Sequence, residues 1–167
     1  MICPSYKQLR LIREKHKNKK IVFCSGVFDI THAGHALFFE DCKKKGDILV
    51  VAVSQGGSTV SARKGKNRPI MNSSIRLKMV DSLKPVDYAY ATGSTSGSGG
   101  NPFKSTEYAL KELKPDIYVV NNDAFNLDKR RELAKKYRVR LVVLRRWCPS
   151  AFENISTTGI IKKIKQN

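Results

Sequence analysis

Two histidines one helical turn apart are the residues of this chain whose types and spacing best suit chemistry. They lie in the stretch from Gly26 to His35, which reads GVFDITHAGH. A β-branched and aromatic run precedes the stretch and an apolar stripe at helical spacing follows it, so His32 and His35 fall at the start of a helix. Free backbone N–H groups and the positive end of the helix dipole attract anions there, and Gly34 leaves room for a phosphate beside the backbone. The stretch therefore predicts a phosphate-binding turn.

Each histidine also has a simpler interpretation. A single histidine at a helix start commonly caps the helix or packs against its neighbours, and that interpretation stays open for His32 and His35 taken one at a time. Taken together, two imidazoles at positions i and i+3 share one face of a helix, behind a strand and a glycine turn. This combined context favours a ligand-binding pair.

The stretch resembles the signature of the cytidylyltransferase-like nucleotidyltransferase superfamily, in which His-x-Gly-His follows a strand that ends in Gly-x-Phe-Asp. Residues 32–35 fit that signature. The resemblance extends from Lys20 to the C-terminus and includes Gly46-Asp47, Lys64-Gly65-Lys66, Arg68-Pro69-Ile70, Arg76, Val86-Asp87 and the segment 155–161. Within the superfamily, the sequence is most similar to the adenylyltransferase domain that activates heptose 1-phosphate, followed by the glycerol-3-phosphate and ethanolamine-phosphate cytidylyltransferases.

The resemblance implies nucleotidyl transfer, in which a substrate phosphate attacks the α-phosphorus of a nucleoside triphosphate and pyrophosphate leaves. Such a reaction needs in-line positioning and positive charge over the phosphates more than it needs a general base. The catalytic residues that it implies are His32, His35, Lys64, Lys66 and Arg76. The nucleotide-binding residues that it implies are Gly26, Val27, Phe28, Gly34, Asp123, Ser156, Thr157 and Thr158. Magnesium (Mg2+) is expected to bind through the triphosphate oxygens.

Two groups of these implied residues also fit ordinary structural roles. Lys64 and Lys66 flank Gly65 in a basic loop, and such runs of charge are commonly solvated. Ser156 and Thr157 stand at the start of a stretch with helical character, where hydroxyl groups commonly cap a helix. A cap and a phosphate contact are compatible, so both groups stay in the predicted site.

The acceptor pocket is the part in which the chain departs from the superfamily. Gln55 stands near the place of an acidic residue in many relatives, and Ile75 replaces the glutamate that commonly precedes the arginine. The segment Asn121-Asn122-Asp123 keeps only the aspartate of the Lys-Gly-Gly-Asp sequence in the adenylyl branch. The candidate residues for contact with the acceptor are Asp29, Arg145, Arg146 and Trp147. A lone tryptophan often serves packing, and that alternative stays open.

Two substrate choices stay open in the sequence. The triphosphate is ATP or CTP, and the similarity to the heptose enzyme favours ATP. The acceptor is a small phosphorylated sugar or polyol, with a cytidylyltransferase for glycerol 3-phosphate or a phospho-alcohol as the alternative. A non-catalytic module that binds nucleotides or nucleic acid is the competing class.

Length and composition fit one domain of ordinary size. The chain has 167 residues, of which 41% are hydrophobic, and domains of about 100 to 200 residues are common. We therefore expect a single nucleotidyltransferase domain over residues 1–167, with a helical extension at 1–19. No apolar run approaches the roughly 18 residues that a membrane span needs, so a cytoplasmic protein is expected, with a homodimer as a candidate assembly. The 4 cysteines include no Cys-x-x-Cys pair, which favours reduced thiols.

The formal net charge of +18 attracts polyanions in general. The basic residues are scattered over predicted helices, including 15–20, 129–131, 135–140 and 162–165, and such runs commonly form solvated helix faces. The sequence lacks zinc-finger spacing, the aromatic pattern of an RNA-recognition sheet and a heptad zipper. Nucleic-acid binding is therefore not expected to be the main function.

The elements that must position these residues alternate between strands and helices. Strands are expected at 21–24, 48–53, 86–91, 117–120 and 141–144, and helices at 6–16, after the histidines, and at 75–83, 103–113, 129–137 and 158–165. Asn72 or Ser73 is expected to cap the third helix. The alternation predicts an α/β fold, a single Rossmann-like doubly wound sheet of about five parallel strands with helices on both faces. The histidine turn then lies where the strand order reverses, and the Gly- and Ser-rich tract 92–102 is expected to be a flexible loop near it.

Overall fold

The computed structural model describes residues 1–2, 7–56, 65, 67–93, 101–153 and 155–166. The strands are β1 (Ile21–Gly26), β2 (Ile48–Val53), β3 (Tyr88–Ala91), β4 (Ile117–Asn121) and β5 (Arg140–Leu144). The helices are α1 (Lys7–Lys15), α2 (Ala33–Lys43), α3 (Ser73–Asp81), α4 (Lys104–Leu113), α5 (Leu127–Lys136) and α6 (Thr157–Gln166). The order of elements is the one expected from the sequence, and the bounds differ by about two residues at most.

Local sequence explains where these elements form and begin. The β2 strand reads ILVVAV and is buried along nearly its whole length, as expected for a parallel strand that is covered on both faces. The side chain of Asn72 accepts the backbone N–H of Ile75 at 2.9 Å and caps α3. Asn126 accepts the N–H of Lys129 at 3.0 Å and caps α5 in the same way. The prediction of a cap at Asn72 is confirmed.

The strands form one parallel sheet in the order β3-β2-β1-β4-β5. The β1 strand pairs with β2 on one side and with β4 on the other, so Cys24 lies between Val51 and Val119. The chain adds β2 and β3 on one side of β1 and then returns to the other side with β4. The strand order therefore reverses between β1 and β4, which is where doubly wound sheets bind ligands. The predicted Rossmann-like sheet of about five parallel strands is confirmed.

Two hydrophobic clusters cover the two faces of this sheet. On one face, Phe23 and Tyr118 pack with buried residues of α1, α4 and α5. On the other face, Val22 and Val119 pack with buried residues of α2 and α3. We call these the α5 face and the α2 face. Helices thus cover both faces, as predicted, because each face of a parallel sheet must bury its apolar side chains.

Aspartates close the amino end of the sheet. The carboxylate of Asp87 accepts the backbone N–H of Leu49 at 2.6 Å and the ammonium of Lys43 at 2.5 Å. The carboxylate of Asp116 accepts the backbone N–H of Ile21 at 2.7 Å. These contacts satisfy N–H groups at the strand starts, which would otherwise need water or another partner.

Two further expectations concern cysteines and membranes. Cys24 and Cys42 are free and buried, and Cys148 is free and partly exposed. Burial raises the pKa of the Cys24 thiol well above its ordinary value, so this thiol stays protonated in the core. Within the described ranges, no helix is both long and apolar enough to cross a membrane.

Candidate active site

A cavity of about 520 Å3 opens at the carboxyl ends of the strands. Its lining includes residues at the end of each strand or just after it, namely Gly26, Ser54, Thr92, Asn121 and Arg145. The cavity therefore occupies the position that the reversal of strand order predicts for a ligand.

His32 and His35 lie side by side at the start of α2, and both line the cavity. Their ring centroids are 4.0 Å apart and their planes are inclined by 30°. The backbone N–H of Gly34 donates to Nδ1 of His32 at 3.1 Å, and the backbone N–H of His32 donates to Nδ1 of His35 at 3.4 Å. The capping interpretation therefore holds for both rings, and it coexists with their position in the cavity wall.

Capping also fixes what these rings can offer to a ligand. A neutral imidazole whose Nδ1 accepts a hydrogen bond carries its proton on Nε2 and donates from there. Burial lowers the pKa of His32 from its ordinary value, and the nearby positive charge of Arg146 lowers it further. His32 is therefore neutral at pH 7 and acts as an Nε2–H donor, which suits a phosphate oxygen.

The turn before α2 has a strained backbone that side-chain packing holds in place. Phe28 and Ile30 have φ angles of 51° and 47°, in the left-handed region that favours glycine. The Phe28 ring packs edge-on against His35, with centroids 5.5 Å apart, and at a tilt of 59° against Phe39, with centroids 4.9 Å apart. A Cβ at Gly26 would lie 2.7 Å from the Phe28 ring, so only glycine fits there. The turn thus depends on Gly26 to place the aromatic ring that supports His35.

Gly34 is required for a related reason. A Cβ at this position would lie 3.0 Å from the His32 ring and 3.3 Å from the carbonyl oxygen of Ile155. Both Gly34 and Ile155 line the cavity. The missing side chain therefore allows the start of α2 to approach the segment before α6, in addition to the room that it leaves for a phosphate.

Arg76 is fully buried, and its guanidinium connects the loops that carry the cavity. Nη1 donates to the carbonyl oxygens of Val27 and Ser54, both at 2.6 Å. Nη2 donates to the carbonyl of Gln55 at 3.2 Å, and Nε donates to that of Met71 at 2.9 Å. Arg76 lies outside the cavity lining. These contacts give Arg76 a positioning role in place of the predicted catalytic contact, because its donors serve backbone carbonyls.

Asp29 is also turned into the fold, with 4% of its surface exposed. Its carboxylate oxygens accept the backbone N–H groups of Ile70 at 2.9 Å and Met71 at 3.0 Å, and Arg68 lies 3.6 Å away. Burial lowers the pKa of Arg76, and the negative charge of Asp29 opposes that effect. Asp29 therefore holds the segment before α3 against the histidine turn, in place of the predicted contact with the acceptor.

The hydroxyl groups at the start of α6 belong to the same junction. Thr157 donates to the backbone carbonyl of Asp29 at 2.8 Å, and Oγ of Ser156 accepts the N–H of Gly159 at 3.1 Å. The cap interpretation is therefore confirmed for Ser156. Ser156, Thr157 and Thr158 lie outside the cavity lining, so their contact with a nucleotide stays a prediction.

The structure brings other predicted residues together at the β4 and β5 end of the cavity. Asp123, Arg145, Arg146 and Trp147 all line it, and Nε of Arg146 lies 3.2 Å from a carboxylate oxygen of Asp123. Trp147 is 62% exposed, so it does not act as a packing residue in this structure. Val27 and Phe28 line the cavity as well.

Two predictions lie outside the described residues. The structure does not describe residues 57–64 and 66, which include Lys64 and Lys66, or residues 94–100, which make up most of the tract 92–102. The catalytic role of both lysines and the loop character of the tract stay predictions.

The sequence did not indicate the far wall of the cavity. Ser25, Phe103, Thr106, Phe125 and Arg130 line it, and none of them was a candidate site residue. The sequence placed Arg130 in a run of charge that is typical of solvated helix faces. The sequence contains only a weak indication of this role, namely that Arg130 lies one turn after the cap of α5. Its position in the cavity wall depends on how α5 packs.

Comparisons with known proteins show the family to which the chain is similar. The profile of a family described as cytidylyltransferase-like matches residues 23–163. Bifunctional protein HldE from Pseudomonas fluorescens is 36% identical over 152 residues, which cover 90% of this chain and 29% of that protein. Bifunctional protein HldE from Helicobacter pylori is 36% identical over 166 residues, which cover 99% of this chain and 31% of that protein. The chain thus spans less than a third of these relatives.

Solved structures show the same fold. The lipopolysaccharide core biosynthesis protein from Thermoplasma volcanium has a TM-score of 0.59 and 31% identity, over 77% of this chain and 97% of that one. Pantoate-beta-alanine ligase from Francisella tularensis has a TM-score of 0.62 over 100% of this chain and 78% of that one, but its 18% identity supports the fold alone. The family profile covers most of the chain, including the histidine turn, and confirms the resemblance seen in the sequence. The chain belongs to the cytidylyltransferase-like family.

Proposed function

We propose that the chain is a nucleotidyltransferase that transfers AMP from ATP to the phosphate of a small sugar phosphate and releases pyrophosphate. The observation that carries this proposal is the His32 and His35 pair. Both rings line a cavity at the reversal of strand order, with Nδ1 occupied by helix capping. This arrangement presents Nε2 donors and a helix start to one anionic ligand.

The proposed reaction exchanges one phosphorus–oxygen bond for another. An oxygen of the acceptor phosphate attacks the α-phosphorus, and the bond from that phosphorus to the bridging oxygen of the β-phosphate breaks. The departing pyrophosphate keeps the electron pair. Nε2 donors of the histidines stabilise the charge that develops on the transferring and departing phosphates, while an ionised acceptor phosphate needs no base to activate it.

The carboxylates of the cavity lining fit a magnesium ion that arrives with the nucleotide. Asp41, Asp123 and Glu153 line the cavity, and each is paired with a basic side chain, respectively Lys44, Arg146 and Lys163. Magnesium commonly binds through substrate phosphates together with one or two carboxylates. Bound in that way, it would neutralise charge on the triphosphate. Asp123 is the candidate carboxylate, because it lines the cavity and is the one of the three that the family resemblance implies for nucleotide binding.

ATP is the proposed donor, and CTP is the alternative. The histidine signature and the segment from Ser156 to Ile164 are most similar to an adenylyltransferase domain, which supports ATP. A thermal-shift panel of ATP and CTP with magnesium discriminates between them, because a ligand that binds only the folded state raises its stability. A larger shift with CTP would overturn the choice of ATP.

A sugar phosphate is the proposed acceptor. The relative from Thermoplasma volcanium is described as a lipopolysaccharide core biosynthesis protein, which supports a carbohydrate substrate. Hydroxyl-bearing side chains of Ser25, Thr92 and Thr106 line the cavity and suit polar, uncharged groups. Glycerol 3-phosphate and phosphoethanolamine are the competing acceptors.

Pyrophosphate release tests the proposal directly. The full chain would be incubated with ATP or CTP, magnesium and a panel of sugar phosphates and phospho-alcohols. We expect release with ATP and a sugar phosphate, and loss of release in His35→Ala. Tight, salt-sensitive binding of RNA or DNA without any turnover would instead support a binding module.

The charge pattern gives no specific support to that second class. On α5, Lys129 and Arg131 pair with Glu132 and Asp128, and Lys136 pairs with Glu107. These are ion pairs of ordinary solvated helix faces.

A homodimer and a cytoplasmic location stay predictions, which light scattering and cell fractionation would test.

A further inference from the structure

Arg130 lies in a wall of the cavity that contains none of the predicted nucleotide-binding residues. The side chain is half-buried, with its guanidinium carbon 5.4 Å from the ring centre of Phe103 and 5.9 Å from that of Tyr118. Nε donates to the carbonyl of Phe125 at 3.0 Å, and Nη1 donates to the hydroxyl of Tyr118. Cation–π contacts and two hydrogen bonds therefore hold this guanidinium in one orientation.

The fixed guanidinium still has donors to offer. A guanidinium carries five N–H groups, and the two bonds to Phe125 and Tyr118 leave three of them without a partner among the described residues. Arg130 forms no ion pair with a carboxylate in the described part of the chain, whereas its neighbours Lys129 and Arg131 both do. A cation that is oriented, partly desolvated and unpaired in a cavity wall is suited to a ligand.

The position of Arg130 separates it from the triphosphate. Phe103 and Tyr118 belong to the cluster on the α5 face, while α2, which carries the histidines, packs on the opposite face. The cavity spans the edge of the sheet between them and is lined by both His35 and Arg130. A triphosphate bound at the histidines therefore leaves the wall around Arg130 to the acceptor.

Hydroxyl groups and aromatic rings surround the guanidinium. The hydroxyls of Ser25 and Tyr118 lie 3.5 Å apart, so Tyr118 links Ser25 to Arg130. The Phe103 and Phe125 rings stack with centroids 5.8 Å apart and planes inclined by 5°. The Ser25 hydroxyl lines the cavity near the donor-only guanidinium, and because it can both donate and accept it matches the hydroxyl groups of a sugar.

We infer that Arg130, supported by Phe103 and Tyr118, binds the hydroxyl groups of the acceptor sugar at the end remote from its reacting phosphate. This inference rests on the proposed nucleotidyl transfer and names a specificity-determining residue for it. Arg130 contacts the acceptor and not the triphosphate. It selects hydroxyl-rich sugar phosphates, and its positive charge disfavours phospho-alcohols with a cationic end such as phosphoethanolamine.

Steady-state kinetics of Arg130→Met test the inference, with Arg131→Met as the matched control on the exposed side of α5. The acceptors are pentose, hexose and heptose 1-phosphates, glycerol 3-phosphate and phosphoethanolamine. We expect KM for the preferred sugar 1-phosphate to rise about tenfold to hundredfold in Arg130→Met, as for loss of a hydrogen bond to a charged group. KM for ATP and the turnover number should stay near those of the wild type. Arg130→Lys should recover part of the loss.

The outcomes separate this inference from the proposed function. Wild-type turnover of a sugar phosphate with an unchanged KM in Arg130→Met overturns the inference and leaves nucleotidyl transfer intact. Absence of turnover with every acceptor overturns the proposed function. In that case calorimetric binding of the same sugar phosphates, in the presence of ATP and magnesium, decides the inference: weaker binding by Arg130→Met than by the wild type supports it, and equal or absent binding overturns it. A melting temperature for each variant shows whether the fold survives.

Discussion

The two ends of the parallel sheet differ in whether polar side chains close them. At the amino end, Asp87 and Asp116 give their carboxylates to backbone N–H groups of the strand starts and close the edge. At the carboxyl end, Gly26 and Asn121 end their strands and Ser54 follows β2, and all three line an open cavity. The comparison teaches that an aspartate or arginine is available to a ligand only where the backbone around it is already satisfied.

Arg76 and Asp29 belong to the carboxyl end of the sheet, but like the aspartates of the amino end they bind backbone groups. Both are buried charged residues close to the cavity, yet their polar atoms serve the loops on which the cavity depends. They fix the backbone that holds the histidines. The carboxyl end of the sheet therefore depends on these buried contacts with backbone groups, which lie beneath the cavity surface that a substrate would meet.

Removal of the Arg76 guanidinium should produce the largest effect. Arg76→Met would leave four carbonyl contacts unmade in a buried site. We expect the free energy of unfolding to fall by about 3 to 5 kcal/mol, as for breaking a buried charged network. Urea denaturation followed by circular dichroism measures it. The control Arg10→Met, at an exposed arginine of α1, should change stability by less than about 0.5 kcal/mol. Equal losses in both variants would contradict the positioning role.

Substitution of the histidines should affect catalysis far more than stability, since each variant loses one capping contact of α2, worth about 1 kcal/mol. His32→Ala and His35→Ala each remove an Nε2 donor from the cavity wall, and we expect the turnover number to fall about 10²- to 10³-fold. His16→Ala is the matched control, because His16 bonds to the Tyr88 hydroxyl at 2.9 Å near the amino end of the sheet. Pyrophosphate release measures all three. An activity loss in His16→Ala as large as that in His35→Ala would break the contrast between the two edges.

Two aspartate substitutions sharpen the same contrast. Asp29→Asn and Asp116→Asn each weaken carboxylate contacts with backbone N–H groups, so each should cost about 1 to 2 kcal/mol of unfolding free energy. The difference should appear in kinetics. We expect Asp29→Asn to raise KM for ATP several-fold because it loosens the histidine turn, whereas Asp116→Asn should leave that KM unchanged. Matching KM values in both variants would argue against a link between Asp29 and the site.

The titration of His32 should show the smallest effect. Burial, followed by Arg146, lowers its pKa below the ordinary value of 6.5. As the pH falls below 6.5, the unfolded chain takes up this proton first, so His32 should reduce the free energy of unfolding until the pH passes the folded pKa. NMR titration of the His32 ring measures the folded pKa. Arg146→Met should raise it slightly and keep it below 6.5, since burial is the larger cause; a rise to 6.5 or above would contradict this order of causes.

Much of the architecture could be predicted because it depends on short-range patterns. The buried run 48–53 and the cap at Asn72 each follow from neighbouring residues, and the structure confirms them. The turn from Gly26 to His35 was predictable for the same reason. Its glycines, strand and helix start all lie within one short segment.

The roles of isolated charged residues could not be predicted in this way. Arg76 looked catalytic and Asp29 looked like an acceptor ligand, because both belong to segments that resemble the family. Arg130 looked like part of a solvated helix face. The role of each residue depends on which distant loop or helix packs beside its side chain. The spacing of residues along the chain does not indicate that packing.

By itself, the sequence determined that this chain has a strand, a glycine turn and two histidines at a helix start, with the chemistry of a phosphate site. Only the tertiary structure decided which charged groups reach the cavity. The carbonyl of Val27, which Arg76 binds, is 49 positions away along the chain, and Asp29 and Thr157 meet across 128 positions. Packing decides such contacts because a buried charge must find partners wherever the fold supplies them.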